Sequence, residues 1–439
     1  MSTLFRDPSH RTVFFIWLGW VMIMLAYQAL VPARLDLERP DYALSWTPGS
    51  TQAGSQQEKR YLADPFLNAH VSWDSEYYLA IANGGYEDPA IERVNVGGDL
   101  LSGGSYWPFV IPTSSGVPRA GIPLSYAFFP FYPLVTRLVA APVTLLGLSD
   151  VATVTLAGVI VSMLGTLAAM LALYELARQE MDSASGVRAA FYLLIFPSGF
   201  FLAQVYTEGL FVGLAFSSLV LLRRGRLGWA ALLAVLATFT RAVGVVLVIP
   251  LLSAWLEQGE WLDMDLEWRQ IYDKGLPWRP LWHALVALSP LFFFLLWRVS
   301  YLGMAFGTVE EHYFGRGMLS LGPTFIAWSE AFRALFGSNP QAAAYYAVEF
   351  GAIILALVAC VYSLRRCPDL AWFGLLVVLL SWTSGPAQGM HRYVLAAPPV
   401  FIFLSRLGRH PAFDRLWTIL SVLLMGLMAT MFTFDMWAG

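Results

Sequence analysis

The sequence predicts an all-α polytopic membrane protein, and three observations carry that prediction. Of 439 residues, 57% are hydrophobic and only 13% charged, against about 25% charged in ordinary soluble domains. Apolar runs of roughly bilayer length recur along the chain. Aromatic residues make up 15%, with 17 Trp, as expected where rings line membrane–water interfaces. The formal net charge of -3 and the absence of any Lys/Arg run longer than two give no nucleic-acid footprint. Cys360 and Cys367 are too few for a disulfide framework and read as free thiols near one helix end. One domain covers residues 1–439, with the lipid bilayer as its first partner.

Val13 to Val31 form the first span, uncharged and long enough for a bilayer. Arg6, His10 and Arg11 precede it and place the N-terminus in the cytoplasm. Pro32 argues against cleavage after Ala33, so the span reads as a retained helix rather than a signal peptide.

Residues 33–125 then leave the membrane as a large first extracytoplasmic loop, with six basic residues and eleven acids. Its middle, Val94–Gly98 through Pro118–Gly121, reads as irregular. A loop of this length is usually functional or disordered, and the acidic motif inside it favours function.

The segment 126–148 is apolar but carries Pro130, Pro133, Arg137 and Pro142. Read as interfacial or re-entrant, it leaves later spans near 151–174, 188–205, 209–222, 228–239, 242–256, 283–299, 343–364, 371–384, 393–407 and 416–434. About eleven spans result, N-terminus in and C-terminus out. Inner connections then hold Arg178, Arg188, Arg223, Arg224, Arg226, Arg269, Lys274, Arg279, Arg365, Arg366, Arg406, Arg409 and Arg415. Outer ones hold only Arg241, Arg298, Arg316, Arg333 and Arg392. A crossing at 126–148 would invert every later loop and break the positive-inside bias. No internal repeat of the kind seen in inverted-topology transporters is visible.

This orientation gathers the residues with chemistry on one face. In Trp73-Asp74-Ser75-Glu76-Tyr77-Tyr78, Asp74 is suited to cap a short helix that runs to Asn83 and ends at Gly84-Gly85. There it is either a solvated cap or a general base that takes a proton from a hydroxyl nucleophile. The positive field of a helix start favours the charged carboxylate. Glu76, two residues on, is expected to face solvent. Trp73 is an interface anchor or a platform for a sugar or lipid.

Glu208, in the turn Tyr206-Thr207-Glu208, is an acid at a membrane boundary that needs a partner or water. Arg241 and Arg392, the latter between His391 and Tyr393, are either snorkelling charges or phosphate-binding guanidiniums. Arg137 is a third such candidate. Glu310-Glu311-His312 resembles a metal set only weakly, and an ordinary solvated loop is the simpler reading. No His-x-x-x-His, paired-cysteine, Gly-rich nucleotide or Gly-x-Ser-x-Gly motif is present. With the site outside and no nucleotide motif, a group donor should be lipid-carried, and no cofactor or metal is expected.

Several blocks together resemble the PIG-V family of mannosyltransferases. They are Trp73-Asp74-x-x-x-Tyr78-Leu79-x-Ile81-Ala82-x-x-Gly85-Tyr86 and Phe128-Phe129-Pro130-x-Tyr132-Pro133-x-x-x-Arg137, then Phe196-Pro197-Ser198 through Tyr206-Thr207-Glu208-Gly209-Leu210-Phe211. Ala237-Thr238-x-Thr240-Arg241-x-x-Gly244 and Arg392-Tyr393 follow in order. The resemblance implies a GT-C-type fold and glycosyltransferase activity. It further implies a polyprenyl-phosphate sugar donor, typically mannose, and metal-independent transfer with inversion to a glycolipid or glycan hydroxyl outside the cytoplasm. It carries the catalytic role onto Asp74. The membrane would be the plasma membrane of a prokaryote, or the endoplasmic reticulum of a eukaryote.

The sequence departs from the family pattern in the longer loop between Tyr86 and Phe128, and in Thr207 and Gly209 where the family carries serines. These departures touch the acceptor more than the chemistry.

On this reading Asp74 is the base and Trp73 and Tyr78 line the sugar path. Glu208 positions the acceptor or an arginine, and some of Arg137, Arg241, His391 and Arg392 serve the substrate. The rival is a transporter or flippase of a lipid-linked glycan. That reading needs charged groups at the bilayer midplane and access from both sides, whereas these groups gather at helix ends.

Overall fold

The computed structural model describes residues 7–94, 121–257 and 278–439. The middle of the large loop (95–120) and the inner basic residues Arg269 and Lys274 lie outside the described residues, as does the side chain of Arg279.

The molecule is a helical bundle. Its first helix, α1 (Pro8–Arg34), starts where the Asp7 side chain accepts the Ser9 N–H at 2.8 Å, with Pro8 at the first helical position. The elements that matter next are α2 (Ser75–Asn83), α3 (Phe131–Val143), α4 (Asp150–Glu180), α5 (Ser183–Ile195), α6 (Glu208–Arg223), α7 (Leu227–Thr238) and α8 (Val248–Glu257). After them come α9 (Trp278–Arg298), α10 (Tyr301–His312), α11 (Leu321–Ala334), α12 (Pro340–Ser363), α13 (Pro368–Trp382), α14 (Met390–Tyr393), α15 (Pro398–Leu407) and α16 (Pro411–Thr433). The expected spans map onto helices of this list in chain order. The connection 300–342, read as a loop, contains α10 and α11.

Five helices among the described residues are long and apolar enough to cross a membrane: α1, α4, Pro280–Arg298 within α9, α12 and α16. The others are shorter. At 1.5 Å per residue, α5, α7, α13 and α15 run only about 15–23 Å, against a hydrocarbon core of about 30 Å. Several continue or begin as 3-10 turns, at Gly199–Ala203, Ala242–Leu247 and Val394–Ala396. Irregular backbone at membrane depth is tolerated only inside protein or along a polar cavity. Here it is packed inside, and the truncated helix ends leave room for polar side chains to meet.

Helix α4 is the centre, with α3, α5 and α6 against it. Its contact with α6 is close because the residues there are small. A Cβ on Gly165 would lie 2.6 Å from the Gly209 backbone, and Gly209 in turn packs on the Ser162 carbonyl and the Thr166 hydroxyl. Without a hydrophobic drive between helices in lipid, such close backbone packing is a main source of association.

The described parts of the large loop fold onto one end of this bundle. Tyr61 donates to Asp88 at 2.6 Å, the Trp437 N–H donates to Asp41 at 2.8 Å, and Arg93–Val94 pairs antiparallel with Ile122–Pro123. Helix α3 buries Tyr132, Thr136 and Ala140 and exposes Leu134 and Leu138. At 13 residues it spans about 20 Å.

Candidate active site

The site is built where the large loop meets the ends of α6, α7 and α14. Trp73 sits in the left-handed region (φ 52°), which costs an L-residue roughly 1–2 kcal/mol. Its indole is held in an edge-to-face trio with Trp46 and Trp437, at centroid distances of 5.7 and 5.4 Å. The turn at Trp73 delivers Asp74 to the start of α2. Here one expectation is corrected. Asp74 precedes the helix in right-handed backbone conformation and its carboxylate makes no cap hydrogen bond, so both oxygens are available elsewhere. The turn is fixed by other groups: Tyr206 donates to the Ser72 carbonyl (3.1 Å), Ser75 donates to the Val205 carbonyl (3.1 Å), and the Asp74 N–H donates to the Tyr206 hydroxyl (3.3 Å).

Opposite Asp74 lies a buried charge network. Glu208, 1% exposed, opens α6 with its carboxylate 2.6 Å from Arg241 and 2.8 Å from Arg392. Arg392 also reaches Asp74 at 3.4 Å and donates to the Gly439 carbonyl at 2.9 Å. Its guanidinium lies 4.6 and 4.7 Å from the ring centres of Phe201 and Tyr206, and that of Arg241 lies 4.5 Å from Tyr393. These ring faces favour a desolvated cation. In this set the Asp74 side chain is the most open, 30% exposed, against 12% or less for the other three. One Glu208 oxygen, Oε2, is buried without a hydrogen-bond partner among the described residues.

The remaining predicted residues fall around this network unequally. Tyr78 is a buried wall, its ring 5.1 Å from Phe128, 5.2 Å from Tyr132 and 6.2 Å from Tyr206. His391 is buried with its ring nitrogen 3.9 Å from Glu349, and its backbone N–H donates to Glu349 at 3.1 Å. Arg137 does not join the cluster. Its guanidinium donates to the Ala82 carbonyl at 2.6 Å and to those of Ile81 and Asn83 at 3.2 Å, closing the C-terminal end of α2. Glu76 is also corrected: it is buried and ion-paired with Lys59 at 3.2 Å rather than facing solvent. Arg241 and Arg392, read as either snorkelling or phosphate-binding charges, are both paired with Glu208, the acid read as positioning the acceptor or an arginine.

Two further residues approach the same place, Glu310 having been read only as part of a weak metal set and Arg316 only as an outer-loop charge. Arg316 donates to the Tyr393 hydroxyl at 3.4 Å. Glu310, half-buried on α10, senses both Arg316 and Asp74, and burial pushes its carboxyl up to about 7. In sequence Arg316 stands between Gly315 and Gly317, and no other feature marks it. Among the described residues no group of three or more His, Cys, Asp or Glu side chains could hold a metal ion.

Residues 114–259 match the family model described as Mannosyltransferase (PIG-V). That match contains the Phe128–Arg137, Phe196–Phe211 and Ala237–Gly244 blocks. The chain is also 28% identical over 248 residues to the mouse (Mus musculus) GPI alpha-1,6-mannosyltransferase 2. That alignment covers 55% of this chain and 41% of the mouse protein. The resemblance to PIG-V mannosyltransferases is therefore a finding of sequence comparison as well as of motifs.

Among solved structures, ArnT from Cupriavidus metallidurans bound to undecaprenyl phosphate aligns with 91% of this chain and 62% of its own. The identity is 14% and the TM-score 0.43. AglB from Archaeoglobus fulgidus, an oligosaccharyltransferase in complex with an inhibitory peptide and a dolichol-phosphate, aligns with 95% of this chain and 55% of its own. Its identity is 13% and its TM-score 0.39.

At Gly209, where the resemblance noted in the sequence leads one to expect a serine, the close α4–α6 crossing occupies the space a side chain would need.

Proposed function

We propose that this chain is a GT-C-type membrane mannosyltransferase that uses polyprenyl-phosphate-mannose and transfers the sugar, with inversion, to a hydroxyl of an extracytoplasmic glycolipid or glycan. The observation that carries the reading is the relation of Asp74 to Glu208 and Arg392. One carboxylate is open to a substrate, while a second, fully buried one fixes the guanidinium that holds the first. Such preorganisation is what a positioned general base requires. The PIG-V match and the mouse mannosyltransferase support the choice of reaction and sugar.

In the proposed reaction Asp74 accepts the proton of the acceptor hydroxyl as that oxygen bonds to C1 of the mannose. The C1–O bond to the lipid phosphate breaks on the opposite face, and its electron pair leaves on the phosphate oxygen. The phosphate thereby passes from a diester to a monoester and gains one negative charge. Trp73 with Trp46 and Trp437 forms an aromatic surface beside Asp74, suited to the apolar faces of a sugar. Tyr78 and Tyr206 exclude water from the inner wall.

The test is transfer by detergent-purified protein, read as release of polyprenyl phosphate from polyprenyl-phosphate-mannose in the presence of glycolipid acceptors. Asp74→Asn should lower the rate by at least about a hundredfold, the lower range of a general-base contribution, while membrane insertion and unfolding temperature stay near those of the parent. Near-normal release by that variant would overturn the role of Asp74. Transport of a lipid-linked glycan with no release of lipid phosphate would overturn the enzyme reading.

A further inference from the structure

The charges already described at the site balance. Asp74 and Glu208 supply two negative charges, and Arg241 and Arg392 two positive ones. Both guanidiniums are tied to Glu208, and Arg392 also to a backbone carbonyl. Neither is free to meet an incoming anion without giving up a buried partner, which is unfavourable. Arg137 is occupied by three carbonyls at the end of α2.

Arg316 differs. Among the described residues it has no carboxylate within ion-pair distance, and its guanidinium makes one long hydrogen bond, to Tyr393. Tyr393 thus lies between two guanidiniums, with Arg241 against its ring face and Arg316 at its hydroxyl. Glu310, whose carboxyl is pushed up by burial, lies near Arg316 without reaching ion-pair distance.

The backbone around Arg316 is fastened in place. Its N–H donates to the Glu310 carbonyl at 2.9 Å, and the Gly317 N–H donates to the Ser384 carbonyl at 2.8 Å. Gly385, at φ 123°, lets the two turns touch: a Cβ there would lie 2.6 Å from the Gly315 carbonyl oxygen. The residue before Ser384 lines an open, mainly apolar groove of about 490 Å³, formed by Leu321, Phe325, Trp328, Ser329, Phe332 and Arg333 of α11 together with Trp382 and Thr383. The first of these follows Arg316 by five residues. A cation without a carboxylate partner, tied through the Gly317–Ser384 backbone bond to the rim of a mainly apolar groove, fits an amphiphile whose anionic head is joined to an apolar chain.

We infer that Arg316 holds the phosphate of the lipid donor and of its lipid-phosphate product, with the groove between α11 and the end of α13 taking the adjoining part of the prenyl chain. This inference rests on the proposed lipid-phosphate donor and supplies the cation that meets the charge developing on the leaving group. A planar guanidinium suits a phosphate in this position.

The experiment is equilibrium binding of undecaprenyl phosphate, of undecaprenol and of inorganic phosphate to the full chain in nanodiscs, with a parallel transfer assay. Arg316→Gln should raise the Kd for undecaprenyl phosphate at least tenfold and leave undecaprenol binding unchanged, with Arg316→Lys between the two. Ser329→Trp, which fills the groove, should weaken both lipids. Inorganic phosphate at millimolar concentration should not displace the lipid, since it lacks the chain. Parent-like binding of undecaprenyl phosphate by Arg316→Gln would overturn the inference, as would an equal loss of both lipids or displacement by inorganic phosphate. Binding is read without turnover. A chain that binds lipid phosphate through Arg316 but transfers no sugar therefore overturns the proposed function alone. Transfer by Arg316→Gln at the parent's KM overturns this inference alone.

Discussion

Glu208 and Arg392, 184 residues apart in the chain, meet at 2.8 Å inside the protein, with the carboxylate 1% and the guanidinium 9% exposed. Removing one partner of such a buried pair leaves an uncompensated charge and typically costs about 3–5 kcal/mol. Glu208→Gln should therefore lower the unfolding temperature measured by scanning fluorimetry in detergent, and abolish transfer as well. Asp74→Asn should abolish transfer without the thermal loss. If both variants melt with the parent, Glu208 does not hold the network together.

Arg137 gives the opposite pattern. It closes α2 through three carbonyls, and a cation at a helix C-terminus contributes about 0.3–1 kcal/mol when exposed, more when partly buried. Arg137→Gln should reduce thermal stability modestly and leave the KM for lipid donor within about twofold, the scale of a few tenths of a kcal/mol. A rise in KM of tenfold or more would return Arg137 to the phosphate site.

The α4–α6 crossing is sensitive to a single methyl group. A Cβ on Gly209 would overlap the Ser162 carbonyl, a backbone atom that cannot move aside cheaply. Gly209→Ala should lower the yield of monodisperse protein and the unfolding temperature, and Gly209→Val more so. Measured by size-exclusion chromatography, the ranking should be Gly, then Ala, then Val; a well-behaved valine variant would mean that the helices separate without penalty.

Glu310 makes stability depend on pH. Its folded carboxyl lies at about 7, above its ordinary 4.5, because it is buried. Between those values the folded chain keeps a proton that the unfolded chain releases, so stability falls as pH rises through this window and the cost is complete above about 7. Glu310→Gln removes the cost. Its unfolding temperature should match the parent's near pH 4.5 and exceed it near pH 8. A constant difference across that range would mean that Glu310 ionises equally in both states.

Much of this was readable from the chain. Apolar runs define the bundle because lipid imposes one requirement on every span, and Trp73-Asp74 with Tyr206–Glu208 and Arg392 stood out because polar groups at helix ends must find partners. What escaped was partner choice. Arg137 and Arg241 look alike in sequence, each beside an apolar segment, yet one meets the carbonyls of α2 and the other Glu208. Glu76 was misplaced because a helix of nine residues, covered on several sides, buries even the face expected to meet water; its partner Lys59 lies in a separate part of the loop. Arg316 went unmarked because its role comes from what it lacks, which only the folded neighbourhood can reveal.

The order of the charges along the chain has a consequence for biosynthesis. Arg241 follows Glu208 by 33 residues, whereas Arg392 comes 184 residues later. A growing polypeptide thus has a countercharge for Glu208 soon after that acid leaves the ribosome, and the two can partition into the bilayer as a neutral couple. Asp74 waits 318 residues for its own guanidinium. Until residue 392 has been made, the open carboxylate is present but unaimed, so a product terminated before it would carry the motif without an assembled centre.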